Sequence, residues 1–97
     1  MDIIYKDSTY NLKITRDGIR RARQITGDTL DKVQGDPEAS LDYMFIAAMP
    51  GKFNKDKLFE ILGVVLGDDG AESQYTAKEL SDELGNQYAA LFGLGAE

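Results

Sequence analysis

Asp36-Pro-Glu-Ala-Ser-Leu-Asp-Tyr-Met-Phe-Ile-Ala-Ala-Met-Pro-Gly51 is the most sharply punctuated stretch of the chain. Asp36 suits a helix cap, and Pro37 fills the first helical position, where a missing N–H costs nothing. Glu38 adds negative charge at the positive end of the helix dipole. Leu41, Met44, Phe45 and Ala48 carry the helix on until Pro50-Gly51 stops it. Asn54 then caps a second helix, and Gly67 ends it. Its apolar residues Leu58, Phe59, Ile61, Leu62, Val65 and Leu66 cover most of the circumference, so this helix is expected at the buried centre.

On the C-terminal side, Asp68 to Gln74 reads as an acidic loop. Thr76-Ala-Lys-Glu79 is a capping box opening a last helix. Leu80, Leu84, Tyr88 and Leu91 form its stripe with Phe92 beside it, and Gly93 and Gly95 release a short tail. On the N-terminal side, Asp28-Thr-Leu-Asp resembles a capped start, with Gly35 closing a turn or two of helix around Leu30 and Val33. Before it, Thr15 or Asp17 caps a helix to about Thr26, with Ile19, Ala22 and Ile25 on its apolar side and Gly27 as its stop. Gly18 is expected to weaken the first turn of that helix. At the start of the chain, Ile3–Tyr5 and Tyr10–Ile14 flank the polar Lys6-Asp-Ser-Thr9. Alternation of Tyr10, Leu12 and Ile14 with Asn11 and Lys13 marks a half-buried strand, so a β-hairpin is expected. The fold class is thus mainly α (α+β). A short N-terminal β-hairpin over 1–15 precedes a bundle of four to five helices over 16–92 and a tail over 93–97. The 97 residues form one domain.

Composition narrows the chemistry. With no cysteine, histidine or tryptophan, disulfides, thiolate catalysis, Cys/His zinc sites and a histidine base are excluded. Ser8, Ser40, Ser73 and Ser81 therefore lack a histidine to activate them. Asp82-Glu83 belongs to a solvated helix face. A calcium loop across Gly67–Glu72 fails on spacing, because setting Gly70 at position six puts Val65 and Thr76 where acidic ligands belong. Neither enzyme activity nor a cofactor or metal is expected. The longest apolar stretch, Ile61–Leu66, is far shorter than the ~20 residues that span a bilayer, and no secretory signal opens the chain. A cytosolic protein with no membrane partner is the expectation.

The net charge of −6 is unevenly spread. Residues 1–27 hold six Lys/Arg against three acids, and the other 70 hold five lysines against 14 acids. Lys13, Arg16, Arg20, Arg21 and Arg23 make a basic segment. Its plainer interpretation is a solvated face paired with the molecule's own acids, and its functional one is docking of an acidic partner. The acidic remainder repels phosphate backbones and argues against nucleic acid as a partner. Met44, Phe45 and Met49, and Tyr88, Leu91 and Phe92, are core residues by default. They equally suit a groove for a partner helix or a seam between copies of the chain.

The opening Ile3-Ile-Tyr-Lys-Asp-Ser-Thr-Tyr-Asn-Leu-Lys-Ile-Thr15 resembles the start of the tail assembly chaperones of long-tailed, siphovirus-type bacteriophages and prophages. Those small acidic proteins begin with a short hairpin of alternating aromatic and aliphatic residues and continue as a helical domain. The order Leu30, Asp36-Pro37, Leu41, Phe45 and the acidic, leucine-spaced last helix are compatible with them. The resemblance implies a non-enzymatic protein of the bacterial host cytoplasm, outside the mature virion. It would bind the long helical tape-measure protein, or another tail protein, and keep it soluble. It further implies self-association and a longer frameshifted form. The contact residues expected on this basis are Phe45, Met49, Tyr88 and Phe92, with Arg20 and Arg23 from the basic segment. The competing expectations are a small regulator acting by protein contacts, a structural tail subunit, and an arginine-based nucleic-acid binder.

Overall fold

The computed structural model describes residues 1–68, 70 and 72–93. Among the described residues, two antiparallel strands, β1 (Asp2–Tyr5) and β2 (Ser8–Asn11), precede five helices. These are α1 (Arg16–Thr26), α2 (Leu30–Val33), α3 (Pro37–Ala48), α4 (Lys55–Leu66) and α5 (Ala77–Leu91). The architecture is mainly α with a small β part, as the patterning implies.

The hairpin is tighter than expected. Tyr5 pairs with Ser8, so only Lys6 and Asp7 turn the chain, both at positive φ. Two such residues suit a primed turn, whose twist matches that of the strands. Ile3, Tyr5 and Leu12 put their side chains into the core, and Leu12 N–H donates to the Met1 carbonyl at 2.7 Å, one step beyond the strand.

The expected helix ends are largely where local chemistry puts them. Thr15 accepts from Gly18 N–H, Asp36 from Glu38 and Ala39, and Asn54 from Lys57. Thr76 and Glu79 close a reciprocal capping box. Each such cap contributes about 1 kcal/mol by satisfying amides that the first turn leaves without partners. Gly27 and Gly67 end α1 and α4 in the left-handed conformation. The short α2 is capped at Thr29 rather than Asp28, without a side-chain hydrogen bond.

The central helix is α3, not α4. Every residue from Tyr43 to Met49 is buried, whereas α4 buries Leu58, Ile61, Leu62 and Val65 but leaves Phe59 37% exposed. The uncharged run of α3 lets it be surrounded on all sides, while Lys55, Asp56, Lys57 and Glu60 hold one side of α4 in water. Helices α1, α2, α4 and α5 all pack on α3. The α1–α3 crossing is very close: a Cβ on Gly18 would lie 1.9 Å from the Ala47 carbonyl oxygen. Gly18 is therefore a contact requirement as well as a weak helix former.

Two glutamine amides hold the hairpin and its continuation. Gln74 accepts from Ile4 N–H and donates to Ile4 C=O, both at 2.7 Å, as a neighbouring strand would. Gln87 on α5 accepts from Ile14 N–H at 2.9 Å and donates to Leu12 C=O at 3.1 Å. The Tyr5 hydroxyl donates to the Glu60 carboxylate, which also takes Lys57 Nζ at 3.2 Å, tying β1 to α4. These hydrogen bonds, the Tyr5 one foremost, hold the Glu60 carboxyl below its usual range.

Candidate helix-binding groove

Helices α4 and α5 both lie on α3, and their backbones stay apart from one another. The gap between them is an open groove of about 740 Å³. Its apolar floor comes from Leu41 on α3 and from Phe59, Leu62 and Leu66 on α4. Gly63 belongs to the same lining and adds no side chain to it; a Cβ there would meet only Asp68, at ordinary contact distance. The α4 sequence therefore carries one apolar stripe broader than the core can cover, with Leu62 at its middle. Leu58, Ile61 and Val65 are buried in the core, and Phe59 and Leu66, seven residues apart on one face of the helix, line the groove.

The charged lining is mainly acidic. Glu38, Asp42 and Asp68 border the groove, and none of them forms an ion pair with a described residue. Lys78, also on the border, is paired with Asp82 at 2.8 Å. Partial burial, with Glu38 and Asp36 nearby, pushes the Asp42 carboxyl above its ordinary value. Lys55 Nζ lies 5.8 Å from the centre of the Phe59 ring and lines a smaller adjoining pocket of about 160 Å³ with Asp42 and Tyr43.

None of the six residues expected to make partner contacts lines this groove. Phe45 and Met49 are 0% and 1% exposed, so they are core residues with no surface to offer a partner, a correction to the expectation above. Their place on the central helix is the physical reason. Tyr88 is half-buried and Phe92 is 38% exposed, their rings 4.9 Å apart, with the Arg16 guanidinium 5.4 Å over Phe92. Burial pushes the Tyr88 hydroxyl up, with Tyr43 and Asp31 adding to it and Arg23 opposing. Arg20 is exposed and pairs with Asp17 one turn back at 3.1 Å, while Arg23 is exposed near Tyr88.

The basic segment is partly explained by the fold. The Arg21 guanidinium donates to the Met49 carbonyl at 2.7 Å, whereas at Lys13 it is the backbone N–H, not the charged side chain, that donates to the Ala48 carbonyl at 3.1 Å. Both serve carbonyls that the end of α3 leaves open. Among the described residues, Arg20 is the one member of this segment in an ion pair, and its acid comes from the same helix. The acidic loop lies partly outside the described residues, at 69 and 71, as does the tail at 94–97.

No protein-family model, characterised protein or solved structure matches this chain.

The residues of the groove left a trace in the sequence that periodicity alone does not interpret. A helix whose apolar residues fill most of its circumference either lies at the centre or carries more apolar surface than the core covers. Helix α4 is the second kind.

Proposed function

We propose that this chain is a non-enzymatic tail assembly chaperone that binds a long helical tail protein, of the tape-measure kind, and keeps it soluble. The observation carrying the proposal is the groove between α4 and α5, lined by Leu41, Leu62 and Leu66 and with the Phe59 ring exposed in it. A helix about 10 Å across rises 5.4 Å per turn, so one turn occupies roughly 400 Å³. The groove's volume is thus comparable to that of about two turns of helix. Helix-in-groove recognition needs an apolar floor and a polar rim, and both are present. A net charge of −6 helps keep a complex with an apolar partner in solution.

Co-expression with the long tail protein encoded nearby tests the proposal, scored by the soluble yield of that partner. The partner should be soluble and co-purify only when this chain is present. Mass spectrometry of purified particles should then find the tail protein without this chain, since a chaperone of the host cytoplasm leaves before the virion is complete. An insoluble, unbound partner, or this chain as a stoichiometric particle component, would overturn the proposal.

A further inference from the structure

We infer that the α4–α5 groove selects a basic amphipathic helix, with Phe59 and Leu66 gripping its apolar stripe and Glu38, Asp42 and Asp68 receiving Lys/Arg residues beside that stripe. This inference rests on the helix-holding function above and specifies the chemistry of the segment held.

Charge as well as shape sets what the groove can hold. Three carboxylates border the groove without a cationic partner, and the one lysine among its lining residues is already committed to Asp82. Glu38 and Asp42 stand four residues apart on one side of α3, so their like charges face each other. Asp42 is also partly desolvated. A cation placed between them cancels the repulsion and offsets the desolvation by direct attraction, and a carboxylate there would add to both costs. On the floor, Gly63 contributes no side chain between Phe59 and Leu66, and the Asp68 carboxylate lies beside it, within reach of a cation carried by a partner. An acidic helix of equal hydrophobicity would meet the same floor and a repulsive rim. The groove therefore discriminates by rejecting one charge type as well as by accepting the other.

Two labelled peptides of about four helical turns test this, with identical leucine positions and either lysines or glutamates beside them. Binding to the whole protein is read by fluorescence anisotropy. The lysine peptide should bind at least about tenfold more tightly than the glutamate peptide. Phe59→Asp should weaken the lysine peptide by about tenfold or more. The pair Glu38→Gln with Asp42→Asn should remove most of the preference. Asp2→Asn with Asp7→Asn, an equal charge change on the hairpin, should leave it largely intact. Circular dichroism of each variant confirms that the helices are formed, and Phe59→Ser replaces Phe59→Asp should the latter fail to fold. Equal binding of both peptides, indifference to Phe59, or an equal loss from the hairpin pair would overturn the inference.

The two proposals fail separately. Peptide selectivity without rescue of the tail protein removes the chaperone function and keeps the groove assignment. Rescue that survives the Phe59 and Glu38/Asp42 changes does the reverse.

Discussion

Gly18 sits where α1 meets α3, and the backbone there leaves no room for a single carbon atom. An added Cβ would overlap the Ala47 carbonyl oxygen at 1.9 Å and approach its carbonyl carbon at 2.9 Å. Both belong to the backbone of the central helix and cannot rotate away. Gly18→Ala should therefore lower stability by roughly 2–3 kcal/mol, despite the better helix propensity of alanine. Urea denaturation at constant m-value measures this, and a stabilised variant would show that the crossing can widen. Asp42 makes the opposite case. Its carboxyl is raised by desolvation first and by Glu38 and Asp36 next. The folded state thus holds its proton more tightly than the unfolded chain, and stability falls as pH rises from the unfolded value through the folded one. Asp42→Asn should melt at a higher temperature than the wild type near neutral pH. That advantage should shrink as pH falls through the raised folded value and be gone below about pH 3.8, where the wild-type group is neutral in both states. A difference in melting temperature that ignores pH would remove the electrostatic account.

The elements differ in how far their sequences announce them. Thr15, Asp36, Asn54 and Thr76 cap their helices because a cap is written within four residues of chain; three of them are readable outright, and Thr15 only as an alternative to Asp17. The hairpin was readable as an element but not in its turn. Lys6-Asp7 carries no glycine or asparagine to advertise positive φ, which made a four-residue connection the natural expectation. Which helix is central depends on packing partners, and periodicity cannot rank two apolar helices on that score. The groove is hidden for the same reason: Phe59 and Leu66 look like core residues until the gap beside them is seen. Most hidden are Gln74 and Gln87, whose backbone partners lie 70 or more residues away. These two glutamines should behave differently on truncation. Gln87→Ala leaves the partly buried Ile14 N–H and Leu12 C=O without partners and should cost about 1–3 kcal/mol. Gln74→Ala frees Ile4 groups that water can reach, and should cost under about 1 kcal/mol. Thermal melts of the two variants side by side would settle the ranking, and equal losses would contradict it.

Across the whole molecule, stability and binding draw on the same asymmetry. Helix α3 is enclosed by neighbours, whereas α4 and α5 rest on it with the groove open between them. Local opening has the lowest cost where apolar contacts are fewest, so amide exchange should be slowest in α3 and faster in α4 and α5. A ligand bound across the groove stabilises the folded form by mass action, by about 2.7 kcal/mol at one hundred times its dissociation constant. It also bridges the two helices that the free chain leaves apart. Saturation with a basic amphipathic peptide should therefore slow exchange in α4 and α5 together and raise the melting temperature. Amides in the first two turns of α1, which line neither the groove nor the pocket beside it, should change only as far as global stability does. Hydrogen exchange read by mass spectrometry measures all three segments in one experiment. Protection confined to α1, or spread evenly with no excess on α4, would place the ligand elsewhere. The surface to examine next would then be Arg16, Arg23, Tyr88 and Phe92, where cationic and aromatic side chains lie close together at the end of α5.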